Sequence, residues 1–268
     1  MRKIFAPALL ILLFSCNNST DNPNSNDGKT GIPASEEPKA LSYSVVEAFP
    51  HDTSSFTEGL LVYKGDMYEG TGNYGRSHLM KVDIKTGKAL KKLALDPKFF
   101  GEGVTILHDT VYQLTYFENV VFVYTLPDFK KVKEFVLKKE CWGLTNDGTS
   151  LIMSDGSSNL DYYDPSTFTL QRTQSITQSG EPVPNINELE YIDGYIYANQ
   201  WQFPYILKID PASGTVIAKA DLTKLWDKAK TIYPRADVPN GIAYDSSSKK
   251  IYLTGKYWPE LYQVEFSR

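Results

Sequence analysis

The sequence predicts an all-β protein, a five-bladed β-propeller closed by pairing of its N- and C-terminal strands. Two observations carry that expectation: an anchor motif that recurs five times, and a fixed order of short strands behind each copy. The anchors are Phe56-Thr57-Glu58-Gly59-Leu60, Phe100-Gly101-Glu102-Gly103-Val104, Glu140-Cys141-Trp142-Gly143-Leu144, Ile186-Asn187-Glu188-Leu189-Glu190 and Val238-Pro239-Asn240-Gly241-Ile242. Their spacing of roughly 40 to 52 residues falls in the range of propeller blades and other arrays. An open β-sandwich also consists of many short strands, but it has no reason to repeat one anchor and one strand order five times.

Each anchor opens an innermost strand, so its third residue, in turn Glu, Glu, Trp, Glu and Asn, converges on a central pocket. About nine residues later come the second strands Met67-Tyr68-Glu69-Gly70, Val111-Tyr112-Gln113-Leu114, Leu151-Ile152-Met153-Ser154, Ile196-Tyr197-Ala198-Asn199 and Ile251-Tyr252-Leu253-Thr254. Third strands follow, from Leu79-Met80-Lys81-Val82-Asp83 in the first copy to Leu261-Tyr262-Gln263-Val264-Glu265 in the last. Turn pairs such as Lys64-Gly65, Asp147-Gly148 and Asp193-Gly194 separate them, as hairpin-linked antiparallel sheets require. A fourth strand, for example Ala89–Leu93 or Thr215–Lys219, is present after the first four copies, while the fifth ends at Arg268 with no room for one. The run Leu41–Phe49, ahead of the first anchor, supplies the missing strand and removes the exposed sheet edges. Between the fourth and fifth copies, Asp221–Asp237 carries Leu222, Leu225, Trp226 and Ala229 at helical spacing, which predicts a short amphipathic helix over one face beside the pocket.

The N-terminus has a separate logic. Arg2 and Lys3 precede the apolar run Ile4–Phe14, too short for a permanent membrane span but suited to an export signal. The run ends in Leu13-Phe14-Ser15-Cys16, which resembles a bacterial lipobox, so Cys16 is expected to carry the lipid although Phe14 departs from the small residue usual there. An ordinary secretory signal is the alternative. Residues 17–38 are polar and too poor in apolar side chains to fold, and read as a tether to the propeller at 39–268. The protein is thus expected to be an exported bacterial lipoprotein, its signal segment 1–16 ending at Cys16 and the lipid on Cys16 anchoring it to a membrane facing the periplasm or cell exterior, and a monomer. Cys141, the one thiol left after lipidation, is expected to be buried. The net charge of −4, with no basic stripe, argues against a nucleic-acid partner.

Several carboxylates at matching inner positions raise one another's pKa, and a narrow channel adds burial, so at least one is expected to hold a proton near neutrality as a general acid must. Lys256 supplies the opposing charge, Asn187 and Gln200 supply amides, and Trp142, Trp201, Tyr257 and Trp258 supply walls. Glu paired with Lys in a channel is equally compatible with a structural ion pair in a ligand-binding module. His51, His78 and His108 stand far apart without the spacing of a zinc site, and each is expected at a surface or turn. No metal or cofactor is expected.

The segments Phe-Thr-Glu-Gly-Leu at 56–60, Gly-Glu-Gly-Val-Thr at 101–105, Trp-Gly-Leu-Thr-Asn-Asp-Gly at 142–148, Ile-Asn-Glu-Leu-Glu-Tyr at 186–191, Ala-Asn-Gln-Trp at 198–201 and Pro-Asn-Gly-Ile-Ala-Tyr-Asp at 239–245 together resemble the plant and bacterial glutaminyl-peptide cyclotransferases. The resemblance runs from about Tyr43 to Phe266. It implies a five-bladed propeller that converts the N-terminal glutamine of a peptide to pyroglutamate with release of ammonia, without the metal of the unrelated animal enzymes. It also implies active-site positions at Phe56, Glu58, Glu102, Asn187, Trp201 and Lys256. Family members carry Gln or Glu at the position of Glu58, so that charge is not essential throughout, and Cys141 stands where Gly is common.

This chemistry assigns roles. Glu102 relays a proton from attacking amine to leaving nitrogen, Lys256 and Asn187 stabilise the oxyanion, Glu58 orients the substrate, and Phe56 and Trp201 line its methylenes. Trp142, Glu188, Glu190 and Asn240 share the inner rim by repeat position, the two glutamates as candidates to bind backbone amides of a neighbouring blade. A non-enzymatic propeller that captures extracellular peptides or glycans is the alternative reading.

Overall fold

The computed structural model describes residues 36–267. The export segment, Cys16 and most of the tether lie outside the described residues. The chain is an all-β propeller of five sheets, four with four strands and one with seven. The innermost strands are Thr57–Tyr63, Gly101–Leu107, Leu144–Asn146, Ile186–Ile192 and Pro239–Asp245. Each touches the next in chain order, and the last touches the first.

Position within a sheet explains the sequence pattern. Gly101–Leu107 is buried at every residue because neighbours flank it on both faces, whereas the outer strand Lys130–Val136 is exposed everywhere but Phe135. The hydrophobic core accordingly forms wedges between adjacent sheets. One joins Leu79 to Val104, Val111 and Phe122; another joins Tyr197 and Ile206 to Ile242, Leu253 and Tyr262. Full burial of each such side chain stabilises the fold by about 1.5–3 kcal/mol.

The strand Tyr43–Pro50 pairs antiparallel with Glu260–Phe266, placing Tyr43 opposite Phe266 and Phe49 opposite Leu261, with a bulge between Val45 and Glu47.

The fourth sheet departs from the four-strand expectation. Thr177–Gln178 and Lys39–Ala40 each run parallel to its outer strand Thr215–Asp221, and Glu181–Pro182 pairs with the former. These additions cover an edge whose N–H and C=O groups would otherwise lie open. Two-residue strands have no period to read, so sequence patterning cannot signal them.

The expected helix spans Thr223–Ile232, opened by the Asp221 side chain, which accepts from the Thr223 N–H at 2.8 Å. Leu222, Leu225 and Ala229 are buried in the wedge between the fourth and fifth sheets, with Trp226 packed at its edge.

Candidate functional site

Four of the five sheets share a register that decides which side chains reach the centre. The N–H groups of Gly72, Tyr116, Trp201 and Lys256 bond to the carbonyls of Phe56, Phe100, Asn185 and Val238, so these residues occupy equivalent positions. The inner strands also share a bulge: Thr57, Gly101, Ile186 and Pro239 pair in step, and pairing resumes at Gly59, Val104, Leu189 and Ile242. Asn187, not Glu188, is therefore the counterpart of Glu58, Glu102 and Asn240. The fourth anchor read from sequence was one residue out of register, because Glu188 stands where the other copies have glycine.

These positions build a cavity of about 170 Å³ lined by Phe56, Glu58, Phe100, Glu102, Tyr116, Trp142, Asn187, Trp201 and Lys256. All six residues implied as active-site positions line it, together with Trp142. Phe100 and Tyr116 were missed as site residues: the repeat carries the signal for Phe100, which matches Phe56, whereas Tyr116 matches Trp201 and Lys256 only through backbone pairing. The remaining member of that second set, Gly72, makes room instead, and so does Gly156 in the third sheet. A Cβ on Gly72 would overlap the Phe100 ring, and one on Gly156 would stand 2.7 Å from the ring of Trp142. A larger groove of about 710 Å³ lies between Ala40–Val45 and the helix, but it gathers no buried ionisable group. Chemistry therefore favours the smaller cavity, and no helix residue lines it.

Its polar centre is a buried ion pair. Lys256 Nζ stands 2.6 Å from Glu58 Oε1, and Asn240 Nδ2 donates to Glu58 Oε2 at 3.2 Å and to the Thr57 carbonyl at 2.8 Å. The Lys256 ammonium also lies 4.2 Å from the centre of the Phe56 ring. Burial pushes the Glu58 carboxyl up and the Lys256 charge opposes it. Burial and the charge of Glu58 hold Glu102 well above the usual carboxylate range, with Lys256 opposing less effectively. Of the two carboxyls, Glu102 is thus the one that keeps a proton. Asn187 brings a carboxamide oxygen that is buried with no partner.

Aromatic rings close the sides. Phe56 meets Phe100 edge-on at 6.0 Å and Tyr257 at 5.1 Å, and Trp142 meets Trp201 edge-on at 5.4 Å. Glu140 accepts from the Trp142 indole at 2.7 Å and from the Tyr116 hydroxyl, whose pKa burial and that contact push to about 12.

Other expected residues fall elsewhere. Glu188 reaches across the ring, its two oxygens accepting from the N–H of Leu60 at 3.1 Å and of Ile242 at 2.9 Å. Glu190 accepts from Tyr244 N–H at 2.8 Å. Gln200 donates to the Pro184 carbonyl, and Trp258 is buried in the wedge with its indole on the Asp237 carbonyl, so neither lines the cavity. His51, expected at a surface or turn, is buried between the Trp258 carbonyl and the Glu69 carboxyl because the closing strand carries it inward. Cys141 is buried, and burial pushes its thiol up to about 12.

Comparison with known proteins assigns the chain to a family. The family model described as glutamine cyclotransferase matches residues 10–266. The chain belongs to the glutamine cyclotransferase family. Within that family, a glutaminyl-peptide cyclotransferase of Arabidopsis thaliana is 40% identical over 227 residues, 84% of this chain and 71% of the relative. The crystal structure of a Myxococcus xanthus glutaminyl cyclase superposes with a TM-score of 0.80 at 32% identity, covering 86% of this chain and 99% of the other.

Proposed function

We propose that this family member cyclises the N-terminal glutamine of peptides and proteins to pyroglutamate, releasing ammonia, in the cavity built around Glu58, Glu102 and Lys256. The carrying observation is that a buried carboxyl, Glu102, and a buried cation, Lys256 paired with Glu58, line one cavity sized for a single residue rather than the ~300–1,000 Å³ of common ligand clefts. The neutral α-amine attacks the γ-amide carbon of its own residue, forming the C–N bond of the lactam ring. The aromatic walls hold the curled conformer that brings these atoms together. Charge develops on the amide oxygen, where Lys256 has donors left after its bond to Glu58. Glu102 gives its proton to the leaving nitrogen and recovers one from the attacking amine, so ammonia departs and the carboxyl is restored.

Two roles shift from the sequence reading. Glu58 already holds Lys256 on one oxygen and Asn240 on the other, so it fixes the lysine rather than the substrate. Asn187 offers an unpartnered buried oxygen, which suits holding a substrate N–H. Because Lys256 supplies the positive charge and Glu102 the proton, the reaction as written needs no metal. Incubation with Gln-Gly-amide, with and without chelator, should release ammonia at equal rates. A protein that binds this peptide without releasing ammonia would be a capture module instead.

The same reading covers the frame and the location. We take the five sheets as five blades, with Tyr43–Pro50 completing the last; the pairing of that strand with Glu260–Phe266 supports it. The lipobox supports an exported lipoprotein whose Cys16 carries the anchor. Cys16→Ser should move the protein from the membrane to the soluble fraction and abolish labelling by a radiolabelled fatty acid.

A further inference from the structure

The cavity accepts one residue, yet a peptide substrate continues beyond it, and the mouth carries a feature the cyclisation itself does not use. Among the described residues, the exposed large hydrophobics include three aromatics: Tyr74 at 54%, Phe117 at 61% and Phe203 at 42%. Their companions, among them Val46, Leu90, Val132 and Leu170, are aliphatic and sit on closing or outer strands, apart from Ile232 at the end of the helix. The three aromatics occupy one kind of place: the loop that leaves the second strand of a sheet, after Asp66–Thr71, Thr110–Thr115 and Tyr195–Gln200.

Each loop also carries or abuts a cavity wall. Tyr74 lies 5.5 Å from the Phe100 ring, Phe117 lies 3.8 Å from Tyr116, and Phe203 stands two residues after Trp201 in a turn closed by its N–H, which donates to the Gln200 carbonyl. Glu118 ties the first two loops, accepting from the Tyr74 hydroxyl at 3.0 Å and from the Phe100 N–H at 3.3 Å. Exposed rings held on rigid walls cost little ordering to use, as at recognition surfaces generally.

We infer that Phe117, Phe203 and Tyr74 form a collar that binds the side chain after the N-terminal glutamine, making the preferred substrates peptides with an aromatic or bulky aliphatic second residue. The inference rests on the cyclase reading and names its substrate class. The preference is expressed in KM, since the second residue does not touch the reacting atoms.

The test compares ammonia release from Gln-Phe-amide and Gln-Gly-amide, by the wild-type protein and by the Phe117→Ser/Phe203→Ser variant. Wild type should favour Gln-Phe-amide in kcat/KM by about 3- to 10-fold, the scale of one or two aromatic contacts. In the variant the ratio should fall to within about twofold while Gln-Gly-amide turnover holds. A wild-type ratio near one, a ratio unchanged in the variant, or an equal loss on both peptides would each overturn the collar while leaving the cyclase reading intact. No ammonia from either peptide with wild type would remove both. The wild-type comparison stands even if the variant fails to fold.

Discussion

Glu102 and Lys256 lie in one buried network but answer to different physics. Glu102 keeps its proton because burial and the charge of Glu58 act together on it. Glu102→Gln preserves its shape while removing the relay, so kcat for ammonia release should fall by about 10²–10⁴ with the melting temperature little changed. Lys256→Met removes one partner of a buried pair and leaves Glu58 desolvated, so a stability loss of about 3–5 kcal/mol should appear in denaturant unfolding along with lost activity. The pH dependence follows from two protons. The substrate amine, with a pKa of about 7.7–8.0, must be neutral, and Glu102 must be protonated. The profile of kcat/KM should therefore rise toward pH ~8 and fall again once the raised Glu102 pKa is passed. Glu102 was legible because it sits in an anchor of the repeat, and Lys256 because it stands just past the polar end of a second strand. Tyr116 was not, because its equivalence to Trp201 and Lys256 emerges only when backbone pairing aligns residues of unlike chemistry.

At the level of elements, the inner strand Ile186–Ile192 differs from its counterparts by carrying Glu188 in a glycine position and Glu190 beyond it. Matching Glu to Glu put that copy one residue out of register; matching glycines, which mark where inner strands crowd, would have exposed the exception. Both carboxyls brace neighbouring backbone, and burial raises both, Glu190 to about 8. The sign follows: between the unfolded value and about 8, the folded state holds a proton that the unfolded chain has released. That stabilisation is complete below the unfolded pKa and is lost as pH rises through the folded one. Thermal stability should therefore decline from pH 5 toward pH 9, and Glu190→Gln, whose carboxamide oxygen can still accept from the Tyr244 N–H, should flatten the decline. The helix was legible from its 3.6-residue stripe, but that stripe reports burial, not location. The structure places it on a wedge of core away from the cavity lining.

For the whole molecule, closure and solubility are linked. The outer strands Ala89–Ala94 and Lys130–Val136 present Lys92, Lys130, Lys131 and Lys133 to solvent, charges that discourage edge-to-edge pairing. The strand Glu260–Phe266 lacks that protection, with Leu261–Gln263 buried beneath its partner Tyr43–Pro50. A chain beginning at Pro50 should thus melt at lower temperature and elute as self-associated species, whereas one beginning at residue 39 should remain monomeric. The repeat made the propeller legible, since five copies of one anchor and one strand order suit packed blades and not an open sandwich.

The most direct test of the central claim is the rate of ammonia release from Gln-Gly-amide by wild type and Glu102→Gln, measured side by side at pH ~8 with both proteins shown to be folded. The account predicts turnover by the wild type and a loss of at least ~100-fold in kcat for the variant. Equal rates in the two would contradict it.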